Sequence, residues 1–187
     1  VYKNYDIVTV SSEYCVPYFE SAMRIVDTSV VKPIGISCTD NMYDKDFIES
    51  CRDRFRYEYP DAVGKKIVLW APSFRGNAGM ADVSSMLKAM GENQIDELMH
   101  NDDFYVIKSL HPHLMKGQSD KMTTAELMVC ADVMITDYSS VFFEYLLLDR
   151  TIVFYAADYD NYSDSRGYYL DYNELPGIIV KNNQALL

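Results

Sequence analysis

Apolar and polar residues alternate in blocks along the chain, and the blocks predict strands and helices in turn. Two short runs rich in β-branched residues, Tyr5–Val10 and Val30–Gly35, predict strands near the beginning of the chain. The segment 11–25 between them opens with two serines, which are suited to cap a helix. The first 35 residues therefore predict one strand–helix–strand unit.

The segment 46–60 is polar and charged, and its only regular apolar feature is a four-residue spacing. Phe47, Cys51 and Phe55 stand at that spacing and predict a helix with one apolar stripe. We interpret this helix as a connector between two structural units.

From Lys66 onward the alternation becomes regular, and it predicts a doubly wound α/β domain. Apolar runs predict four strands, at 67–72, 104–110, 132–136 and 151–157. Helical patterns separate them: one that runs to about His100, one at 123–130 and one at 140–148. Strands that alternate with helices imply right-handed βαβ units and a parallel sheet covered on both faces.

Composition narrows the possible functions. The chain has 187 residues, 49% of them hydrophobic, which is enough for one domain or one and a fraction. A formal charge of -11 argues against nucleic acid as a partner. No apolar run reaches the length of a membrane span, and the beginning does not resemble a signal peptide. Four cysteines without Cys-x-x-Cys spacing favour a reducing compartment, the cytoplasm.

The chain begins without Met, and its last residues, "NNQALL", resemble the first turn of a helix. We therefore expect it to be a piece of a longer polypeptide.

Ligands of such sheets bind at the carboxyl ends of the strands, and the end that reads "TDYSS" is chemically unusual. If Ser139 or Ser140 caps the following helix, the backbone N–H groups of its first turn make a site for a phosphate. Glu144 misses the three-residue spacing of a capping box, so it is available for another partner, for which a ribose diol is suited. The alternative interpretation is an ordinary helix start.

Two other strand ends, "APSFRG" and "SLHPHL", add positive charge and a titratable group. Arg75 and Gly76 place a planar cation and a flexible backbone at the same edge, which suits diphosphate oxygens, although a surface Arg beside a turn is the alternative. His111 follows a strand directly and precedes Pro112, so it can donate to a phosphate oxygen or move a proton. His113 completes a His-Pro-His sequence, but no third ligand is evident, and a metal site is not expected.

Several common fingerprints do not occur. No Gly-x-Gly-x-x-Gly follows a strand, which disfavours NAD and FAD, and no Walker A sequence is present. A Gly-x-Ser-x-Gly elbow is also missing, which argues against an α/β-hydrolase.

Four sequence blocks together resemble a known family. They are "IVLWAPSFRG", "IKSLHPHL", "ADVMITDYSSVFFEYLLLDRTIVFY" and "RGYYLDYNELPG". In this order they resemble the motifs of the CDP-glycerol glycerophosphotransferases, the teichoic acid primases and polymerases of Gram-positive cell envelopes. The resemblance runs from about Asp6 to Gly177, and the block from Ala131 to Tyr155 is its most specific part.

The resemblance implies a GT-B architecture, in which two Rossmann-like halves face a cleft and the C-terminal half holds the nucleotide. Residues 61–187 then correspond to the nucleotide-binding domain, residues 1–45 to the end of the acceptor-side domain, and the helix at 46–60 to the connection. No cofactor and no metal are expected.

The implied reaction is phosphoryl transfer, in which a hydroxyl of a teichoic acid glycerol-phosphate acceptor attacks CDP-glycerol and CMP leaves. Catalysis of this kind depends on positioning and on charge stabilisation of a diphosphate. His111 is the implied catalytic residue, and Arg75, Gly76, Ser139 and Ser140 would bind phosphate. Asp137 would hold the loop geometry or a ligand hydroxyl, and Glu144 resembles the acid that GT-B enzymes aim at the ribose.

Two departures from the family pattern limit what this chain can do alone. The family's catalytic His-Gly motif has no counterpart before His100, so the general base is expected in the remaining acceptor-side domain of the same polypeptide. Where the family often has Gly-x-Pro-Arg-Asn-Asp, this chain reads "GISCTD", residues 35–40. The enzyme is expected in the cytoplasm, held to the inner face of the membrane by parts outside this chain.

Two rival hypotheses stay open. A GT-B glycosyltransferase with a nucleotide-sugar donor would share the architecture. A receiver-like phosphoacceptor domain would also place an Asp at a strand end, but it needs an acidic pair after its first strand, where this chain reads "APSFRG". The sequence does not distinguish a primase from a polymerase, or a glycerol donor from a ribitol donor.

Overall fold

The computed structural model describes residues 5–25, 27–73, 83–110, 121–159 and 170–186. The chain divides into two compact units, residues 1–44 and 45–187.

The first unit is a small parallel pair of strands with one helix between them. Strands β1 (Val8–Val10) and β2 (Val31–Pro33) pair in parallel, with Val8 opposite Val31. Helix α1 (Val16–Met23) has Pro17 in its first turn and ends at Arg24, whose φ of 53° is left-handed. The predicted strand–helix–strand order is confirmed, with strands shorter than the apolar runs that predicted them.

The second unit contains a five-stranded parallel sheet with the order β4-β3-β5-β6-β7. Its strands are β3 (Lys66–Trp70), β4 (Phe104–Lys108), β5 (Val133–Thr136), β6 (Thr151–Tyr155) and β7 (Ile178–Val180). Its helices are α2 (Lys45–Glu58), α3 (Val83–Ala89), α4 (Glu92–Met99), α5 (Thr124–Cys130) and α6 (Val141–Tyr145). This arrangement confirms the predicted doubly wound α/β fold.

Helix α2 forms as its spacing predicts and belongs to the second unit. Cys51 and Phe55 are buried, Phe47 is half-buried, and the helix packs against α5. The connecting role of residues 46–60 stays a prediction.

Both faces of the large sheet carry apolar side chains. On one face Val68, Trp70 and Ile135 meet the side chains of α3 and α4, among them Met86 and Ile95. Trp70 is the one tryptophan of the chain and is 1% exposed. Leu69, Met134 and Phe154 alternate with these residues along the strands and are fully buried as well. Among the residues that the structure describes, no helix is both long and apolar enough to cross a membrane.

The helix predicted to run up to His100 is two helices, and this corrects the sequence-based prediction. Helix α3 ends before Gly91, whose φ of 87° lies in the left-handed region, and α4 begins after it. A Cβ atom at Gly91 would lie 2.2 Å from a ring carbon of Tyr155. The close approach of this ring and the left-handed backbone together separate the helices. His100 ends α4 as expected, with Nδ1 2.7 Å from the carbonyl oxygen of Asp96.

Strand β7 was not predicted. Its three residues, Ile178–Val180, directly follow Pro176 and Gly177, and so short a run after a Pro-Gly pair gives no strand periodicity. It pairs with β6 and forms one edge of the sheet.

Candidate functional site

The candidate site lies where strands β3 and β5 end side by side. The chain leaves β3 for β4 on one side and later returns to β5 on the other, so these two neighbours form the topological switch point of the sheet. The loop that follows β3 begins at Ala71, and the loop that follows β5 begins at Asp137. A crevice at this point is the usual ligand site of an open parallel sheet.

Asp137 joins the two loops at the switch point. Its side chain is buried, and its Oδ1 accepts hydrogen bonds from the backbone N–H of Ser73 at 2.8 Å and of Tyr138 at 2.6 Å. Next to it, the Thr136 hydroxyl donates to the carbonyl oxygen of Ala71 at 2.7 Å. Of the two roles that the sequence left open for Asp137, these contacts favour holding the loop geometry.

The start of α6 is capped only weakly. Ser140 occupies the N-cap position with helical backbone angles, and its side chain makes no capping hydrogen bond. The Ser139 hydroxyl accepts from the backbone N–H of Val141 at 3.4 Å, which is long for such a bond. Of the two serines, Ser139 therefore provides the capping contact, and the Ser140 side chain is exposed.

Glu144 lies on the first turns of α6 and is half-buried, and this burial raises the pKa of its carboxyl group. Within the part of the chain that the structure describes, its carboxylate makes no capping contact, ion pair or hydrogen bond. This agrees with the expectation that Glu144 takes no part in a capping box. Its role toward a ribose stays a prediction.

Tyrosine side chains pack beside the Asp137 loop, and sequence reasoning did not identify two of them, Tyr138 and Tyr172. The ring centroid of Tyr172 lies 5.3 Å from that of Tyr138 and 5.4 Å from that of Tyr159. The Tyr172 hydroxyl donates to the carbonyl oxygen of Asp137 at 3.4 Å. The position of Tyr138 directly after Asp137 was the available sequence signal, whereas Tyr172 reaches the site only through the fold.

Lys108 is the last residue of β4, near the same edge of the sheet, and two carboxylates neutralise its charge. Its Nζ lies 3.0 Å from Glu92 Oε1, 2.6 Å from Asp96 Oδ1 and 5.7 Å from the centre of the Trp70 ring. Burial alone would lower the pKa of Lys108, but the two carboxylates outweigh it and the pKa is raised. This lysine therefore orders α4 against the sheet and is not a free cation for a phosphate.

Three of the predicted site residues, Arg75, Gly76 and His111, lie outside the described residues. The strands that lead to them are described: the backbone N–H of Ser109 donates to the Trp70 carbonyl oxygen at 2.8 Å, which holds the end of β4 beside the end of β3. The structure thus brings together Asp137, Ser139, Ser140 and Glu144, and the roles of all seven residues stay predictions.

Comparison with known proteins identifies a family. Residues 1–187 match the model of the family described as CDP-Glycerol:Poly(glycerophosphate) glycerophosphotransferase. The chain is 34% identical to a teichoic acid ribitol-phosphate primase of Bacillus spizizenii, with 100% of this chain and 50% of the relative covered. It is 30% identical to a teichoic acid glycerol-phosphate primase of Bacillus subtilis, with 100% and 49% covered. The chain thus spans about half the length of these curated relatives.

A solved structure has the same fold. The wall teichoic acid polymerase TagF, in a variant soaked with CDPG, superposes with a TM-score of 0.76 at 27% identity. The match covers 99% of this chain and 48% of the TagF chain.

Proposed function

The chain belongs to the CDP-glycerol:poly(glycerophosphate) glycerophosphotransferase family, and we propose that it is the nucleotide-binding part of an enzyme that transfers glycerol phosphate from CDP-glycerol. The acceptor is a glycerol-phosphate polymer or primer in teichoic acid synthesis. The match of the whole chain to the family model is the observation that supports this most directly. The topological switch point between β3 and β5, followed by the helix that carries the half-buried Glu144, also supports the proposal, because ligands of open parallel sheets usually bind at such a point.

The transfer forms one bond and breaks one at the same phosphorus. An acceptor hydroxyl oxygen attacks the glycerol-bearing phosphorus, the bond from that phosphorus to the CMP oxygen breaks, and the hydroxyl proton passes to a general base outside this chain. Negative charge develops on the leaving CMP and on the transferred phosphoryl oxygens. Donors held in place before the reaction stabilise that charge.

We assign the predicted residues to this reaction as follows. Arg75, Gly76 and the Ser139–Ser140 turn bind the diphosphate, and His111 donates to it in the transition state. Glu144 binds the ribose hydroxyls. Asp137 keeps the loop after β5 next to the loop after β3, so that these groups converge.

A ribitol donor is the second candidate. It is favoured by the relative named a ribitol-phosphate primase, which matches the entire chain. CDP-ribitol and CDP-glycerol share the cytidine and diphosphate groups, so the assigned residues serve both donors equally. The two donors differ only in the polyol, which is glycerol in one and ribitol in the other.

The remaining acceptor-side domain is the second proposed partner. The first unit has a sheet of two strands, which is marginal alone, and it exposes apolar side chains such as Tyr5, Ile7 and Ile34. The curated relatives are about twice as long as this chain. We propose that the rest of the polypeptide completes this sheet, supplies the general base and holds the enzyme at the inner face of the membrane.

Calorimetric titration of the chain in EDTA tests the proposal. CDP-glycerol and CDP should bind without a divalent ion, because the assigned residues Arg75 and His111 would neutralise the diphosphate, whereas UDP-sugars should not bind. Preferred binding of a UDP-sugar would favour the glycosyltransferase hypothesis. Phosphorylation by acetyl phosphate with magnesium, with no CDP binding, would favour the receiver-like domain and contradict the proposal.

A further inference from the structure

Buried polar side chains gather at one place in the described part of the chain. Apart from tyrosines, tryptophan and cysteines, they belong to Ser109, Thr136 and Asp137, each at most 5% exposed. Thr136 ends β5, Asp137 follows it, and Ser109 directly follows β4, so all three stand beside the end of β3. Burying a hydroxyl or a carboxylate costs free energy unless the group is hydrogen-bonded, whereas an apolar side chain carries no such cost. Their concentration at the candidate site therefore needs an explanation beyond packing.

Ser109 is held by both its backbone and its side chain. Its backbone N–H donates to the Trp70 carbonyl oxygen at 2.8 Å, which fixes it beside the end of β3. Its hydroxyl lies 2.9 Å from the hydroxyl of Thr124, and either group can be the donor. Because Ser109 directly follows β4 and Thr124 is the first residue of α5, this bond joins the two ends of the connection between strand and helix.

Thr124 is a fixed point for this bond, because the start of α5 is itself held. The backbone N–H of Thr123 donates to Glu126 Oε2 at 2.7 Å as part of a capping box. Arg54 of α2 lies 2.7 Å from Oε1 of the same glutamate, and α2 packs against α5. The Ser109 hydroxyl is thus bonded to a helix start that these contacts already anchor.

The connection between Ser109 and Thr124 carries His111, which follows Ser109 by two residues. A bond across the base of a connection reduces the number of directions in which the chain can leave the strand. Asp137 acts in the same way on the loop after β5, which it bonds to Ser73. Buried side chains therefore fix how the chain leaves both neighbours of β3.

We propose that Ser109 and Thr124 are positioning residues of the donor site, and that their hydroxyl pair sets the direction in which the chain leaves β4 toward His111. This assignment rests on the proposed function and adds to it two residues that act through His111 without touching the nucleotide. Loss of either hydroxyl removes the bond and leaves the connection less restricted. The diphosphate should then bind more weakly, because His111 is less well placed for it.

Calorimetry in EDTA, with CDP and inorganic diphosphate as ligands, tests this. Ser109→Ala and Thr124→Val each remove one hydroxyl with little change of volume, and each should raise both dissociation constants about fivefold. The double variant should bind no more weakly than either single variant, because the same bond is lost in all three. Thr124→Ser keeps the hydroxyl and should bind both ligands like the native chain.

Ser50→Ala is the matched control. The Ser50 hydroxyl donates to the Phe47 carbonyl oxygen at 2.8 Å on α2, so this variant also loses one hydroxyl bond, but at none of the three strand ends. It should leave both dissociation constants unchanged. Urea unfolding of each variant gives its folded fraction, so that the dissociation constants refer to folded protein. Equal weakening by Ser50→Ala and Ser109→Ala would overturn the proposal.

The His111→Ala background separates positioning from a general loss of order. There Ser109→Ala should weaken neither ligand further, because the residue that it positions is already gone. A loss of about fivefold in both backgrounds would contradict the assigned role.

The native chain separates this proposal from the proposed function. If the native chain binds CDP and Ser109→Ala binds it equally well, the positioning role is wrong and the donor assignment stands. If the native chain does not bind CDP, the proposed function is wrong and the positioning role falls with it.

Discussion

At the scale of single residues, two aspartates bracket strand β5 and make similar contacts at its opposite ends. Asp132 Oδ2 accepts from the backbone N–H of Ile67 at 2.8 Å at the amino end. Asp137 Oδ1 accepts from the backbone N–H of Ser73 at 2.8 Å at the carboxyl end. The two carboxylates therefore tie β5 to β3 at both ends, and only one of them lies at the candidate site.

Replacing either aspartate with Ala should lower the free energy of unfolding by about 2 kcal/mol, because backbone N–H groups lose a charged acceptor. Asp137→Ala should also weaken CDP binding, since the loops after β3 and β5 are no longer held together, whereas Asp132→Ala should not. Urea unfolding and calorimetry of the two variants check this. Unchanged CDP affinity in folded Asp137→Ala would remove the Ser73–Asp137 contact from the binding site.

Ser140 and Glu144 should affect different parts of the nucleotide. Ser140→Ala removes an exposed hydroxyl without breaking a capping bond, so it should cost about 1 kcal/mol of binding to both inorganic diphosphate and CDP. Glu144→Gln should weaken CDP and spare diphosphate, because its proposed partner is the ribose. Calorimetry with both ligands measures the difference. Equal losses of diphosphate affinity in the two variants would refute the ribose assignment.

Single residues also show which features of the site could be predicted from the sequence and which could not. The positions of Asp137 and Glu144 at a strand end and on the following helix could be predicted from local patterns. The choice between two roles for Asp137 could not, because its partner Ser73 lies 64 residues earlier in the chain. The buttressing Tyr172 follows 35 residues later, so its contact with Asp137 likewise depends on the fold.

At the scale of elements, the break between α3 and α4 depends on one glycine. Gly91→Ala should destabilise the chain by several kcal/mol, because the left-handed backbone strains Ala by about 1 kcal/mol and its Cβ would collide with the buried Tyr155 ring. Gly64, with a φ of 83°, is the matched control because a Cβ there meets no atom within 4 Å.

Gly64→Ala should therefore cost only the backbone strain, about 1 kcal/mol. Equilibrium unfolding in urea compares the two variants. Equal destabilisation by the two substitutions would mean that the Tyr155 ring does not confine the turn at Gly91.

The start of α5 is a capping box reinforced by an ion pair. The Thr123 hydroxyl accepts from the backbone N–H of Glu126 at 3.3 Å, and Glu126 Oε2 accepts from the Thr123 backbone N–H at 2.7 Å. Arg54 of α2 lies 2.7 Å from Glu126 Oε1. Burial alone would raise the pKa of Glu126, but the Thr123 and Arg54 contacts outweigh it, so the pKa lies below its ordinary value of 4.5.

A lowered pKa in the folded state means that Glu126 stabilises the fold above its ordinary pKa and loses this contribution as the pH falls through the folded value. Glu126→Gln should lower the free energy of unfolding by about 1 kcal/mol at pH 7, and its difference from the native chain should shrink between about pH 5 and 3.

Asp53→Asn is the matched control for Glu126→Gln. It removes a pair with Arg56 that is largely exposed, with 73% of the Asp53 side chain accessible, and it should change stability little at any pH. Thermal unfolding across this pH range measures both variants. A Glu126→Gln deficit that stays constant down to pH 3 would contradict the assigned titration.

Element prediction from the sequence succeeded where apolar runs were long. The strands that became β3 to β6 each contain four or five residues of such a run, and polar loops separate them. Gly91 sits inside a helical apolar pattern, which tolerates an isolated glycine at a cost of about 1 kcal/mol, so periodicity alone could not reveal the break. The three-residue β7 is held by pairing with β6, a contact that local sequence does not encode.

At the scale of the whole molecule, the two units differ in how complete they are. The second unit has a five-stranded sheet with buried side chains on both faces, whereas the first has two strands, and most of its described residues are exposed. The sequence predicted the second unit because its strands and helices each have a recognisable pattern of apolar residues. For the first unit the same patterns predicted the strands and the helix, but two strands alone are too few to enclose a hydrophobic core.

Trp70 gives the chain an intrinsic fluorescence signal from one defined position. The chain has 16 tyrosines but one tryptophan, and this residue is 1% exposed. Its backbone carbonyl oxygen accepts a hydrogen bond from the backbone N–H of Ser109, directly after β4. Trp70 also stands three residues before Ser73, the partner of Asp137. Its fluorescence emission should therefore be blue-shifted and resistant to acrylamide quenching in the folded chain. Because Trp70 is the last residue of β3, directly before one of the loops assigned to the nucleotide, and its ring lies next to the Lys108 charge, the same emission should follow ligand binding in real time, with no label attached to the protein.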